Sequence, residues 1–139
     1  MRLNSFTDYG LRAMMLLASE SERSVSTEEV ARLLGISRSH LAKIVQALAA
    51  AGMVVTQRGS GGGFRLARDP AGIGLGEIVR ILEEGTPIVE CFRNDGGQCR
   101  MMPACKVKVR LKAAREAFLA ELERTSLAEC AFPASSLVG

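Results

Sequence analysis

Three of the chain's four cysteines lie within fifteen residues, and this stretch is the strongest chemical signal in the sequence. Cys91 and Cys99 are separated by seven residues, which include an Asn-Asp-Gly-Gly turn, and Cys99 and Cys105 are separated by five. Thiolates are soft ligands that select zinc, copper(I) or iron–sulfur clusters. We therefore expect residues 86–106 to form a loop that binds one metal centre. Three cysteines are one fewer than the usual four ligands, so another group must complete the coordination.

The composition favours cysteines that act as ligands over cysteines in disulfides. The 139-residue chain is 47% apolar and has no tryptophan. It contains no uncharged apolar run of about 18 residues, the length that a membrane-spanning helix needs. Its first residues are polar and lack the pattern of a signal peptide. The sequence thus predicts a cytoplasmic protein without a membrane span, in which the thiols stay reduced.

The excess of positive charge is confined to the first half of the chain. Residues 1–70 contain nine Lys and Arg against six Asp and Glu, whereas residues 71–139 contain nine of each sign. The whole net charge of +3 therefore belongs to the N-terminal half. Such an asymmetry favours a polyanionic partner for that half.

The segment that begins at Ser24 carries the signals of a helix-turn-helix. Ser26 followed by Glu29 matches a capping box at the start of one helix, and Gly35 is placed to end that helix. Ser37 is placed to cap a second helix. The expected buried face of this second helix consists of Leu41, Ile44 or Val45, and Leu48. Two helices joined by a short turn that contains glycine are typical of DNA-binding domains.

The outward face of the second helix carries side chains that can donate hydrogen bonds to phosphates and base edges in a major groove. These side chains are Arg38, Ser39, His40, Lys43 and Gln46. The alternative is a plain helical hairpin with a solvated basic face. The segment that follows decides between the two interpretations.

That segment has the composition of a β-hairpin wing. Two short β-patterned runs flank a glycine-rich turn that includes Gly61 and Gly62. The glycines allow the backbone to lie close to DNA, and Arg58 and Arg65 supply charge for phosphates or a minor groove. A nucleotide phosphate loop is rejected, because the Gly-Lys-Ser/Thr ending is missing and a strand follows instead of a helix.

The longest predicted helix runs from Pro103, which suits a first helical turn, to about Glu123. Its apolar positions recur at spacings of three and four residues: Val107, Leu111, Ala114, Phe118 and Leu122. A long helix that projects past a small head favours packing against a second copy of the chain. Cys130, which follows this helix, is interpreted as a packing residue and not as a ligand.

The predicted fold class is mostly α-helical with a small β-hairpin wing. Residues 1–85 would form a winged helix-turn-helix head, residues 86–106 the cysteine loop and residues 103–130 a dimerisation helix region. The first helix of the head would be capped by Ser5 or Thr7.

Four motifs, in the same order along nearly the whole chain, resemble one group of regulators. They are SFTDYGLRA, GISRSHLAKIV, RGSGGGFRLA and PACKVKVRLKAAREAFLAEL. The chain resembles the NsrR-type nitric-oxide-sensing repressors, in the winged-helix regulator family that also contains the iron–sulfur protein IscR. The resemblance implies a homodimer that represses transcription from palindromic operator DNA until nitric oxide attacks its iron–sulfur cluster.

The resemblance also implies the ligands of that cluster. Cys91, Cys99 and Cys105 would hold it, with a 4Fe–4S cluster favoured over a 2Fe–2S cluster. Asp8 in SFTDYG matches a carboxylate that would complete the coordination, and an oxygen ligand on a cluster iron would be comparatively labile. The alternative role for Asp8 is that of an ordinary charge in the first turn of a helix. The gap between the first two cysteines is longer than in some relatives, which affects the shape of the loop.

Three other functions are weighed against this one. A regulator of the same fold could respond to iron or redox status. A structural zinc would need four Cys or His ligands. A thiol-dependent redox enzyme would need a Cys-x-x-Cys pair or a cysteine beside a histidine, whereas the chain's one histidine lies on the DNA-facing helix. The sequence therefore predicts a regulator and not an enzyme.

Overall fold

Five α-helices and one β-hairpin form most of the regular structure in residues 1–20, 23–60 and 62–138, which this computed structural model describes. The helices are α1 (Ser5–Ser19), α2 (Thr27–Leu34), α3 (Arg38–Ala50), α4 (Leu75–Leu82) and α5 (Lys106–Glu123). The hairpin consists of β1 (Val54–Gln57) and β2 (Gly63–Leu66). Single 3-10 turns lie at Pro70–Gly72, Glu90–Phe92, Leu127–Cys130 and Ala134–Ser136. This architecture confirms the predicted fold class, and none of the described helices is long and apolar enough to cross a membrane.

The helix-turn-helix forms as predicted, because each helix end finds its expected cap. The Ser26 hydroxyl accepts a hydrogen bond from the backbone N–H of Glu29 at 3.1 Å, and the Ser37 hydroxyl accepts one from that of His40 at 3.1 Å. Between the two helices, Gly35 has a φ of +68°, a left-handed conformation that glycine adopts at little cost. These caps determine which face of α3 points outward.

The hydrophobic core lies where α1, α3 and the hairpin meet α4. On α3 the expected inner face is buried, and Ile44 and Val45 both point inward. Met14 and Leu17 of α1 and Phe64 of β2 belong to the same buried cluster. Burying a side chain of this size contributes roughly 1.5–3 kcal/mol, so the core holds α3 as a rigid element.

The hairpin is tied to the helices by a third piece of chain. β1 and β2 pair antiparallel, with Val54 opposite Leu66 and Thr56 opposite Phe64. Val25, just before α2, exchanges two backbone hydrogen bonds of 2.9 Å with Phe64. This bridge fixes the wing relative to the helix-turn-helix.

The prediction that Ser5 or Thr7 caps α1 is wrong. Asn4 is the cap, since its side chain accepts a hydrogen bond from the backbone N–H of Thr7 at 2.8 Å. Thr7 is fully buried, and its hydroxyl donates to the Glu83 carboxylate at the end of α4. Asn, Ser and Thr all cap helices well, so the local sequence does not distinguish Asn4 from Ser5 or Thr7. The hydrogen bond from Thr7 to Glu83 becomes visible only in the tertiary structure.

α4 and α5 pack closely at two glycines. A side chain at Gly76 would overlap the carbonyl oxygen of Leu119, so the two helices meet backbone to backbone. Gly74 offers no side chain to cap α4. Instead, the Glu123 carboxylate of α5 accepts a hydrogen bond from the backbone N–H of Glu77 at 2.7 Å, where the helix dipole favours negative charge. Each helix therefore positions the other.

α5 begins at Lys106, so the predicted start at Pro103 is wrong. Cys105 is the residue before the helix and has an extended backbone, with φ −73° and ψ 108°. An extended residue lies outside the helical conformation, so the helix starts after the cysteine. Within the predicted apolar stripe Val107 is 63% exposed, and the buried contact of α5 is made by Leu119 instead.

Candidate functional site

The outward face of α3 presents most of the side chains predicted to meet DNA. The exposed ones are Arg38, Ser39, Lys43 and Gln46. His40 differs from them, because it is half-buried and its ring meets the Tyr9 ring of α1 edge-on, with 5.7 Å between the ring centres. His40 is thus packed against α1 at the rim of this face, while the other four side chains point into solvent.

The wing presents its two predicted arginines to solvent. Arg58 and Arg65 are both exposed. Gly62 must be glycine for a structural reason, since a side chain there would overlap two carbonyl oxygens of the hairpin turn. Gly61 was also predicted to approach DNA, and it lies outside the described residues. The wing is therefore a tight turn flanked by two solvent-facing cations.

A groove of about 330 Å³ lies between the wing and the helix-turn-helix. Arg38 of α3 and Thr27 of α2 line it, together with backbone of the wing. Thr27 was not among the residues predicted to meet DNA, although its place directly after the helix cap Ser26 is a usable signal. The first N–H groups of a helix are available to anions. The groove is formed jointly by α2, α3 and the wing, and its charged side chains are Arg38 and Glu28.

The three loop cysteines are half-exposed and carry free thiols. The predicted turn between the first two forms around Asp95, whose carboxylate accepts a hydrogen bond from the backbone N–H of Gly97 at 3.0 Å. Gly97 has a φ of +63°, a conformation that favours glycine. The Glu90 carboxylate accepts a hydrogen bond from the backbone N–H of Gln98 at 2.7 Å and so closes the loop between the two cysteines.

The thiols are gathered in one loop but do not converge on one point. Among the described residues, no group of three or more Cys, His, Asp or Glu side chains is close enough to hold a metal ion. In a 4Fe–4S cluster each thiolate binds a different iron, so the ligands surround the group instead of meeting at one atom. Three free, soft donors on a loop with a glycine turn fit a group of this kind.

Asp8 lies in the first turn of α1, where its carboxylate is paired within the helix. Arg12 donates two hydrogen bonds to it, at 2.9 and 2.8 Å, and both side chains are about half exposed. The Arg12 guanidinium also lies 5.1 Å from the centre of the Tyr9 ring. An exposed ion pair contributes only about 0.2–1 kcal/mol, so Asp8 can change partner at little cost.

An open cleft of about 750 Å³ lies between the cysteine loop and α5. Cys91 borders this cleft from the loop. Lys108, Lys112 and Arg115 border it from the helix. The first loop cysteine therefore shares a cavity with a row of cationic side chains, which sequence analysis did not connect with it.

Cys130 lies away from the loop, in a 3-10 turn that packs against α1. The turn starts with a capping box in which the Ser126 backbone N–H donates to the Glu129 carboxylate at 2.7 Å. This hydrogen bond lowers the pKa of Glu129 below its ordinary value. Cys130 is half-buried in this turn, and its packing role stays a prediction.

Comparisons with known proteins match the chain over almost its whole length. A family model described as Rrf2, iron-dependent transcriptional regulator, matches residues 3–131. The HTH-type transcriptional regulator NsrR of Geobacillus kaustophilus (strain HTA426) is 40% identical over 130 residues, which make up 93% of this chain and 88% of that protein. Both descriptions are of transcriptional regulators and not of enzymes.

Solved structures share the fold. IscR of T. potens superposes with a TM-score of 0.72 at 28% identity, over 93% of this chain and 85% of that chain. CymR of B. subtilis, described as the global cysteine regulator, superposes with a TM-score of 0.71 at 27% identity, over 94% and 96% of the two chains.

Proposed function

This chain belongs to the Rrf2 family of transcriptional regulators, and we propose that it is a cytoplasmic repressor that senses nitric oxide through an iron–sulfur cluster. It would bind palindromic operator DNA as a homodimer, with an affinity that depends on the state of the cluster. The observation that carries the proposal is the loop of three free cysteines directly before α5. The 40% identity to an NsrR supports nitric oxide as the signal.

The surface formed by α3 and the wing would bind the duplex. The exposed side chains of α3 would enter the major groove, and Arg58 and Arg65 would contact phosphates or the minor groove beside it. Replacing both wing arginines with alanine should lower the slope of log affinity against log salt concentration by about 1 for each phosphate that the variant no longer binds. Arg124→Ala is the matched control, because that arginine is exposed just beyond α5. A double wing variant that binds DNA as the parent does would contradict this arrangement.

The cluster would be held by Cys91, Cys99 and Cys105, and Asp8 of either subunit would complete its coordination. We favour a 4Fe–4S cluster. When bound, it would supply an iron that nitric oxide can reach at its weakest ligand. Asp8 suits this position because its ion pair with Arg12 is exposed and easily exchanged.

Four alanine variants test the ligand set. The parent, purified without oxygen, should contain iron and sulfide and be brown. Alanine at Cys91, Cys99 or Cys105 should remove the cluster and the response of DNA binding to nitric oxide. Cys130→Ala is the control and should keep both properties. A colourless Cys130→Ala protein, or a brown variant at a loop cysteine, would overturn the ligand set.

Asp8→Ala tests the fourth ligand separately. Loss of the carboxylate should change the absorption spectrum of the cluster and its rate of reaction with nitric oxide, while the helix content measured by circular dichroism stays the same. Arg12→Ala is the control, because it removes the ion pair and leaves the carboxylate in place. If Asp8→Ala has the parental spectrum, Asp8 has only its helix-terminal role.

Iron supply is a second candidate signal, because the matching family is described as one of iron-dependent transcriptional regulators. The cluster would then be lost when iron is scarce, and DNA binding would follow iron content. The two signals can be distinguished by titrating the cluster-loaded protein with nitric oxide and, in parallel, with an iron chelator. The true signal is the one that releases DNA at the lower dose.

A further inference from the structure

Two lysines of α5 line the same cleft as the first loop cysteine. Lys108 and Lys112 are four residues apart, so their side chains leave the helix on one face. Both border the cleft of about 750 Å³ that Cys91 borders from the loop. A cluster held by Cys91 would therefore lie near this cleft.

The other charges of the cleft are already engaged. Its two arginines are in ion pairs, Arg93 with Asp95 at 2.7 Å and Arg115 with Glu116 at 3.2 Å. The remaining carboxylate, Glu83, accepts hydrogen bonds from the start of α1. Lys108 and Lys112 have no carboxylate within 4.0 Å in the part of the chain that the structure describes. The positive charge that the cleft can offer a ligand is thus concentrated in these two ammonium groups.

We propose that Lys108 and Lys112 are positioning residues that stabilise the negative charge of the bound cluster. The inference rests on the proposed function, because three thiolates and one carboxylate leave a 4Fe–4S centre with a net negative charge. An ammonium on a flexible four-carbon stem can approach such a charge without a fixed hydrogen-bond geometry. Lys108 is half-buried and Lys112 is exposed, so solvent and salt screen Lys108 less and its effect is the larger.

The sign of the effect follows from electrostatics. Reduction adds an electron to an already negative group, and a nearby positive charge favours that reduced form. The lysines therefore raise the reduction potential of the cluster and slow the loss of its iron. We expect each to change the reduction equilibrium about two- to tenfold, the size of a screened interaction over several ångströms. A tenfold change in a one-electron equilibrium is 59 mV.

Three single variants and one double variant test the proposal. Lys108→Gln, Lys112→Gln and the double variant remove charge from the cleft with little change in helix propensity. Arg110→Gln is the matched control: Arg110 is exposed on the same helix, between the two lysines in sequence, and it does not line the cleft. The readouts are the midpoint potential, from an anaerobic titration, and the half-life of protein-bound iron under a chelator. Circular dichroism verifies the fold.

The expected result is a lower potential and faster iron loss in the order double variant, Lys108→Gln, Lys112→Gln, with Arg110→Gln equal to the parent. A loaded double variant with the parental potential and iron half-life would overturn the role of the lysines and leave the proposed function standing. The same would follow if Arg110→Gln shifted both readouts as much as Lys108→Gln. A parent that takes up no iron and sulfide would overturn the proposed function and this inference together.

Discussion

One methyl group added at Gly76 tests how closely α4 and α5 approach each other. Gly76 is buried in the first turn of α4 and has no positive φ. Helix propensity alone therefore predicts that Gly76→Ala stabilises the protein by roughly 0.5–1 kcal/mol.

The packing of the two helices predicts the opposite sign. The added carbon would overlap the carbonyl oxygen of Leu119, a backbone atom that cannot rotate away, and a carboxylate oxygen of Glu123. Forcing such an overlap costs typically about 1–3 kcal/mol. The shift would also disturb the hydrogen bond from Glu77 to Glu123, and the loss of a helix cap costs about 1 kcal/mol. With the gain in propensity subtracted, we expect Gly76→Ala to lose about 1–3 kcal/mol of unfolding free energy.

Urea unfolding followed by circular dichroism measures this difference. Gly72→Ala is the matched control, because a side chain at Gly72 would meet nothing within 4 Å and the residue has no positive φ. Its stability should stay within about 0.5 kcal/mol of the parent, as for most surface substitutions. A Gly76→Ala protein at least as stable as the parent would refute the close approach of α4 and α5.

Two further substitutions test single contacts. Thr7→Val keeps the shape of a buried side chain but removes the hydroxyl that donates to Glu83. We expect it to lower the free energy of unfolding, measured in urea, by about 1–3 kcal/mol. A parental urea midpoint would show that this hydrogen bond contributes nothing. The pKa of Glu129 is lowered chiefly by the Ser126 backbone N–H, so its contribution to stability is present at neutral pH and is lost as the pH falls through that lowered pKa. On acidification, the Tm of the Glu129→Gln variant should therefore fall slightly less than that of the parent. An equal fall of Tm in both proteins would contradict this role of Glu129.

The helix-turn-helix could be predicted in detail because its signals are local. The caps at Ser26 and Ser37 each join residues three apart. The turn between the helices depends on the left-handed backbone of one residue, Gly35. The inner face of α3 follows from the same helical period. Interactions this short in sequence are visible in the pattern of residues, so these elements agree with the structure almost residue by residue.

Two of the contacts that were missed join partners distant in sequence. The hydroxyl of Thr7 is used by a carboxylate 76 residues away, and the first turn of α4 is capped from α5 by a side chain 46 residues away. No local pattern marks either contact, because Glu83 and Glu123 look like ordinary surface charges of their own helices. The three loop cysteines could be named as donors from their type and spacing. Their final arrangement would depend on the cluster that we propose they bind.

Under the proposed function, α4 would carry a change in the cysteine loop to the helix-turn-helix. This helix packs against α1, α3 and α5. The cysteine loop follows soon after the end of α4 in the sequence. Its first turn is capped by α5, and at its other end Glu83 is bound by the buried hydroxyl of α1. Side chains in a close-packed core shift together, so a displacement of α4 must either break these bonds or carry α1 along. α1 in turn packs on α3 through Tyr9 and His40, at the edge of the face that we propose meets DNA. One short helix thus contacts α1, α3 and α5, and it would connect the proposed sensing loop with the proposed recognition helix.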